Sequence, residues 1–485
     1  MAKTQVKSIM EYANAAMFKY GSEVNEDRAV PSFQDGLKPV GRRVMWSLFN
    51  MARGTQVKSA RVVGDCIGKY HPHGDSGPEG MLSTFVNSSF PPIVGIGNWG
   101  SLIDPPAASR YTEVKLSNYG DTFLVKNYMA VVPLVPNYDY KDKEPVYLPA
   151  LLPNILLNGA VGIGVGLATS IPSFTPDSLF KVLIRLIDKE QLTAKDYAKS
   201  LKFHESYGGQ VCTTKASQKA LVEFFSGTSG SVEFSSPFQV NRDAKKILLN
   251  RFAPNLNLDT LLTKLREMPQ VDKVYSGKGL SYIIQIKRNI NFNEFDKFLV
   301  KLEKMTTASR RFSIYVTERE IDPENSDKYK VHFHNLSVHE LLMKWLKFRI
   351  NLERDSLQYQ IGVQEKEIAY TKLLIFACEP KNLDVIFKAL RQADPAAYIA
   401  KHLKLSLEQA NTILDLKVRQ LSKLDQDGLK AKLKKQQDWL SQLQVKVKKP
   451  AQEVKRFLEH CLAALDCNSD RKIGMEQWWF KKAVV

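Results

Sequence analysis

The sequence predicts a multidomain α+β chain: a basic helix-turn-helix module, then a mixed α/β region, then a long antiparallel coiled coil with a helical tip. Three observations carry that expectation. Two short amphipathic helices with basic outer faces fit residues 39–70, strand-like runs alternate with helix from about 151 to 335, and beyond 338 apolar residues recur at steps of three and four. At 485 residues the chain can hold about three domains, each with its own core. Its 44% hydrophobic and 25% charged residues fit a globular protein rather than a disordered one.

The first helix is expected over 39–53, with Pro39 in its first turn, where the missing N–H would be unpaired anyway. Val40, Val44, Leu48 and Met51 share one face, while Arg42, Arg43, Trp46 and Arg53 lie elsewhere. A second helix fits 59–70, with Val63, Ile67 and Tyr70 toward the core and Arg61 and Asp65 at i,i+4 outside. Gly and Pro punctuate 71–106, which reads as loops and short strands. Strand-like runs follow at 232–234, 247–250 and 282–286, with a helix at 258–267. From Val338 the pattern turns helical through Leu341, Trp345, Phe348 and Leu352, and Tyr359 and Val363 resume it. Leu429, Leu433, Gln436, Leu440, Leu443 and Val447 make a heptad seam with one polar position. Smaller helices, one over 406–419, lie between the two long ones.

A net charge of +18 and a pI near 9.4 suit a polyanionic partner, either nucleic acid or an anionic membrane surface. Between 38 and 69 stand Lys38, Arg42, Arg43, Arg53, Lys58, Arg61 and Lys69 against Asp65 alone, and their surroundings favour DNA. A second basic run, 430–449, reads as a solvated helix face. No apolar run reaches the ~18–20 residues of a membrane span, and the start lacks a signal-peptide core. A cytoplasmic protein with no membrane partner is expected. Five cysteines without Cys-x-x-Cys spacing favour neither a disulfide framework nor a zinc knuckle.

Three segments carry candidate chemistry: 34–43 (QDGLKPVGRR), 68–76 (GKYHPHGDS) and 107–113 (AASRYTE). Tyr111 is one of 18 tyrosines. A phenol is a weak nucleophile at neutral pH and needs positive charge or a base beside it. His71 and His73, with Asp75 nearby, admit two readings: metal ligands, or phosphate contacts and proton handling in a Gly-rich loop. No Gly-x-x-x-x-Gly-Lys-Ser/Thr phosphate loop is present.

With 157–166 (LNGAVGIGVG) and 409–416 (QANTILDL), these segments closely resemble the A subunit of type IIA DNA topoisomerases, namely bacterial gyrase A, topoisomerase IV A and the phage medium subunit. The likeness covers roughly residues 8–450, with the motifs in the family's order. It implies a winged-helix cleavage domain with an N-terminal arm over 1–150, a tower over 151–335, a coiled coil with a dimerising C-gate over 336–465, and a tail over 466–485. It implies that Tyr111 attacks DNA phosphorus and leaves a 5′-phosphotyrosine, so that one phosphodiester is exchanged for another and the break can be resealed. Arg110 would stabilise charge on the phosphoryl oxygens. Neighbours in an extended segment point opposite ways, so this needs a bend at 110–111. Arg28 would be the other active-site arginine, with His73 near the scissile phosphate. Lys38, Arg42, Arg43, Lys58, His71 and Ser76 would hold DNA without reading its sequence. Ile163 matches an intercalating wedge, although from sequence alone it reads as a buried strand residue.

Gln34 and Gly41 stand where the family usually has arginine and histidine. Ser76 and Gly80 occupy the quinolone-contact pair without its acid. The resemblance further implies duplex DNA as substrate and a B-type partner subunit that holds Mg2+ and uses ATP, with no metal site in this chain. It implies a homodimer within an A2B2 assembly, one tyrosine per strand, in a bacterial cell, phage-infected or not. The missing wrapping domain after Pro450 points to relaxation and decatenation without supercoiling. Two rivals remain. One is a tyrosine nickase with a His-x-His metal site, against which Pro72 stands between the histidines. The other is an architectural DNA clamp that leaves Tyr111 idle.

Overall fold

The computed structural model describes residues 8–51, 54–101, 104–123, 126–205, 207–277, 280–415 and 426–466. Arg53, Leu416, Arg419 and the tail from 467 lie outside the described residues. The chain is mixed α/β and about half helical. It forms two compact units: one runs up to Arg349 and resumes at Lys455, the other is Ile350–Val454.

In the first unit, helix α1 (Ile9–Val24) starts at a Ser8–Glu11 capping box and runs into a π-helical turn, Asn25–Ala29. Helices α2 (Pro39–Met51), α3 (Ser59–Lys69) and α4 (Ser76–Val86) enclose Val44, Leu48, Val62, Cys66, Leu82 and Phe85. A small antiparallel sheet closes this core. Its strands are β1 (Val57–Lys58), β2 (Ile93–Ile96) and β3 (Glu113–Leu116), in the order β1-β3-β2. Val114 and Leu116 point inward while Glu113 and Lys115 point outward, the period of two of a one-sided strand. The hairpin β4 (Leu134–Pro136) and β5 (Lys143–Pro145) follows.

Three local expectations are corrected. The buried face of α2 is Gly41, Arg42, Val44, Met45 and Leu48, while Val40 is half-buried. Helix α4 stands where loops were expected. Its Gly77 and Pro78 fall in the first turn, where the N–H groups have no intrahelical partner, so neither residue breaks it. On α3, Asp65 pairs with Lys69 at 2.7 Å rather than with Arg61, and Cys66 is buried where Ile67 is only half-buried.

The mixed region contains the expected strands, as Ser229–Ser235, Lys246–Leu249 and Tyr282–Ile286, and the helix Leu258–Glu267. Strands β6 (Ala160–Ile163) and β7 (Ala168–Ile171) form a hairpin at the edge of a five-stranded sheet. A four-stranded sheet packs against Leu258–Glu267 and Phe292–Met305 around Leu265, Ile284 and Phe295. A long hairpin, Tyr315–Asp322 with Asn325–Asn335, was not anticipated.

In the second unit, the continuation of the helix Val338–Ala377 buries Leu352, Ser356, Leu357, Gln364, Thr371 and Leu374. Tyr359 and Val363 do not resume the buried series; each is about 40% exposed. Three short helices surround Ala377, Ile386, Ile399 and Ile413. The helix Gln426–Lys446 buries Leu429, Gln436 and Leu443, and the Gln436 amide donates to Glu367 Oε2 at 3.5 Å.

Candidate active site

Tyr111 sits in a loop fastened on both sides to the first turn of α3. The Ser59 N–H donates to the Thr112 carbonyl (3.0 Å) and the Ala60 N–H to the Ser109 carbonyl (3.2 Å). These are donors that a helix start leaves free. Beneath them the buried Thr112 hydroxyl donates to Ser59 Oγ at 2.8 Å. Lys58 pairs with Glu113 (2.7 Å), and the Gln56 amide also donates to Glu113. Gly97, at φ +106°, lies against this loop; a Cβ there would meet Thr112 Cγ2 at 3.2 Å and the Tyr111 carbonyl at 3.4 Å.

Within this frame the backbone turns. The Tyr111 N–H donates to the Ala108 carbonyl at 2.9 Å, so Arg110 and Tyr111 are not in extended chain. Tyr111 is 67% exposed, and the Arg110 guanidinium carbon lies 4.7 Å from its ring centroid. The bend that Arg110 required is present.

The second cluster follows α3. The His71 N–H donates to the Cys66 carbonyl (2.8 Å) and the His73 N–H to the His71 carbonyl (2.7 Å), leaving the rings edge to face with centroids 4.8 Å apart. His71 is buried and His73 exposed. Nδ1 of His71 lies 3.5 Å from Nη1 of Arg43, and a Cβ on Gly77 would stand 3.4 Å from its Nε2. Burial, and then the charges of Arg43, His73 and Arg28, push its pKa from 6.5 down to about 4. His71 is therefore neutral at pH 7. With a guanidinium beside it, Nδ1 of His71 is poorly placed to bind a metal. Arg43 itself donates to Glu144 on β5 at 2.7 and 2.9 Å.

The remaining candidates divide. Arg42 is a correction. It is 3% exposed and donates to both oxygens of the fully buried Asp35, at 2.6 and 3.1 Å. Asp35 also accepts from the Leu37 and Leu148 N–H groups, so this pair is a fixed strut and cannot reach a phosphate. Lys38 is half-buried with no carboxylate partner among the described residues, and burial lowers its pKa. Lys58 is over half exposed despite its ion pair, and Ser76 opens α4 on the surface. Ile163 is 83% exposed at the end of β6, so the buried-strand reading fails.

Ile163's hairpin and Arg28's segment are one structure. Asn25 donates to the Val165 carbonyl (3.1 Å) and accepts from its N–H (2.8 Å). A Cβ on Gly162 or Gly164 would lie 2.0 Å from the Ala29 carbonyl or Asn25 Oδ1. Arg28 is exposed at the end of this turn. The turn is held from below by Arg319, which is 2% exposed, donates to the Glu26 carbonyl at 2.7 Å and stacks on Tyr329. Gln34 bonds both backbone groups of Arg319, at 2.8 and 3.1 Å. Sequence reading missed Asn25, Glu144 and Arg319. Each partner is more than 100 positions away, and no local pattern marks them.

Residues 28–462 match the family of DNA gyrase/topoisomerase IV A subunits. The chain is 31% identical over 453 residues to the DNA topoisomerase 4 A subunit of Neisseria gonorrhoeae, covering 85% of this chain and 57% of that protein. It is 30% identical over 473 residues to the Escherichia coli (strain K12) protein of the same description, covering 93% and 61%. It is 28% identical over 442 residues to the chloroplastic/mitochondrial DNA gyrase A subunit of Nicotiana benthamiana, covering 86% and 45%. The chain thus spans about three fifths, or less, of the length of these relatives.

Proposed function

The chain belongs to the DNA gyrase/topoisomerase IV A-subunit family, and from that membership we propose that it is the DNA breakage-reunion subunit of a type II topoisomerase. The observation that carries the chemistry is Tyr111, exposed on a bend with the Arg110 cation over its ring and the loop stapled to α3. The phenolic oxygen attacks a DNA phosphorus, forms the O–P bond of a 5′-phosphotyrosine and releases a 3′-hydroxyl. Resealing is the reverse displacement. Arg110, Arg28 and His73 face the charge that gathers on the phosphoryl oxygens. Lys38, Arg43, Lys58, Ser76 and neutral His71 hold the flanking phosphates, and Ile163 enters the base stack as a wedge.

In this reading 1–150 is an arm with a winged-helix cleavage domain, 151–335 a tower, 336–465 a coiled coil with a C-gate, and 466–485 a tail. Two copies supply two tyrosines, one per strand, within an A2B2 assembly. The B-type subunit brings ATP hydrolysis and Mg2+. This chain's own donors do not fit the metal. Among the described residues no three His, Cys, Asp or Glu converge, and Glu113, beside Tyr111, is engaged by Lys58 and Gln56. The metal's contribution, when bound by the partner, is charge stabilisation at the phosphate. Relaxation and decatenation in a bacterial cytoplasm complete the proposal.

The test is a trapped cleavage reaction with plasmid, Mg2+ and the ATPase subunit. Protein on the 5′ ends of both strands is expected, and Tyr111→Phe should abolish it with duplex affinity within about twofold of wild type. Single-strand nicks would support a nickase, and intact DNA an architectural clamp.

A further inference from the structure

The basic run beyond residue 430 is left unexplained by the Tyr111 site. Between Lys430 and Lys449 stand seven lysines against one acid, Asp438. On the helix Gln426–Lys446, Lys430, Lys432, Lys434 and Lys435 are all exposed, with no carboxylate partner among the described residues. Lys430 and Lys434 are an i,i+4 pair and Lys432 and Lys435 an i,i+3 pair, so like charges face each other where a solubilising face would alternate signs. The other long helix of the same unit has a balanced surface. From 350 to 377 its exposed charges are Asp355, Glu365 and Glu367 against Arg354, Lys366 and Lys372. Of these two long helices, Gln426–Lys446 carries the excess.

Its shape selects the ligand. The four exposed charges from Lys430 to Lys435 cover about 7.5 Å of straight helix at 1.5 Å per residue, and Lys446, three turns on, is half-buried against Trp439 and Glu453. No backbone cradle closes around them, which suits a rod-like polyanion rather than a compact phosphate. A membrane surface fits poorly, because the helix's apolar stripe (Leu429, Leu443) is already buried and only Trp439 and Val445 offer exposed apolar surface. We infer that this lysine ridge is a second contact surface for duplex DNA, on a unit that does not contain Tyr111. The choice of DNA among rod-like polyanions rests on the function proposed above.

The experiment uses the full chain and a fluorescent 30-base-pair duplex titrated over a range of salt. Each neutralised phosphate contributes about 0.9 to the slope of log affinity against log salt. Replacing the four lysines (Lys430→Gln, Lys432→Gln, Lys434→Gln and Lys435→Gln together) should flatten that slope by about 3 to 4, with circular-dichroism melting unchanged or raised as the repulsion goes. An unchanged slope overturns the inference, as does wild-type binding to phosphatidylserine vesicles that the four changes abolish while duplex binding stays intact. Arg28→Gln with Lys38→Gln separates the two readings. If that variant keeps full duplex binding while the lysine variant loses slope, the ridge stands and the phosphate contacts proposed for Arg28 and Lys38 fall.

Discussion

Arg42 and Arg43 are chain neighbours, yet one is committed to Asp35 inside the core and the other to Glu144 near the surface. Removing one partner of a buried pair leaves the other charge stranded, so Asp35→Ala should cost about 3–5 kcal/mol, read as a shift in the urea midpoint. Lys219→Ala, which breaks an exposed pair, should stay within about 0.5 kcal/mol. His71 gives a pH signature. Because the fold lowers its pKa from 6.5 to about 4, acidification across that window protonates the unfolded chain before the folded one. The stability gained from keeping His71 neutral is complete above about pH 6.5 and is lost as pH falls toward 4. His71→Gln should flatten the melting temperature across that range; an undiminished acid slope would mean that other groups set it.

At the scale of elements, the clasp between the 25–29 turn and the β6–β7 hairpin depends on missing side chains. Gly164→Ala would drive a methyl onto Asn25 and should open the clasp, seen as faster proteolysis around 25–29 and loss of cleavage. Gly166→Ala has open space and bears only the left-handed backbone cost, about 1 kcal/mol, so the clasp should survive it. What sequence could show follows the same division. The helix Leu258–Glu267 and the strand Tyr282–Ile286 were legible because their burial period is local. Helix α4 was hidden by Gly77, Pro78 and Gly80, whose tolerance depends on their place in the helix. Tyr359 and Val363 continue an apolar period, but the buried positions there are Ser356, Leu357, Gln364, Ile368 and Thr371, three of them polar. At the candidate site, motifs singled out Tyr111, Arg110 and the histidines, and the structure sets Arg110 against the Tyr111 ring and His71 against His73. Arg42's burial was not, since Asp35 is also bonded to Leu148, 113 positions away.

For the whole molecule, the proposal that two copies supply one tyrosine per strand has a direct consequence. Mixing wild type with excess Tyr111→Phe chain should convert double-strand breaks into single-strand nicks, measured on trapped plasmid; persistent double-strand cleavage would mean that one copy cuts both strands. The helix that carries Tyr111's loop also conceals a thiol. Cys66 is fully buried in α3, and burial lifts its pKa to about 12. Since only the thiolate reacts, Cys66 ignores oxidants and alkylating agents while the core is shut. Its labelling by maleimide then counts the moments when this helical module comes apart, a stopwatch built into the wall behind Tyr111.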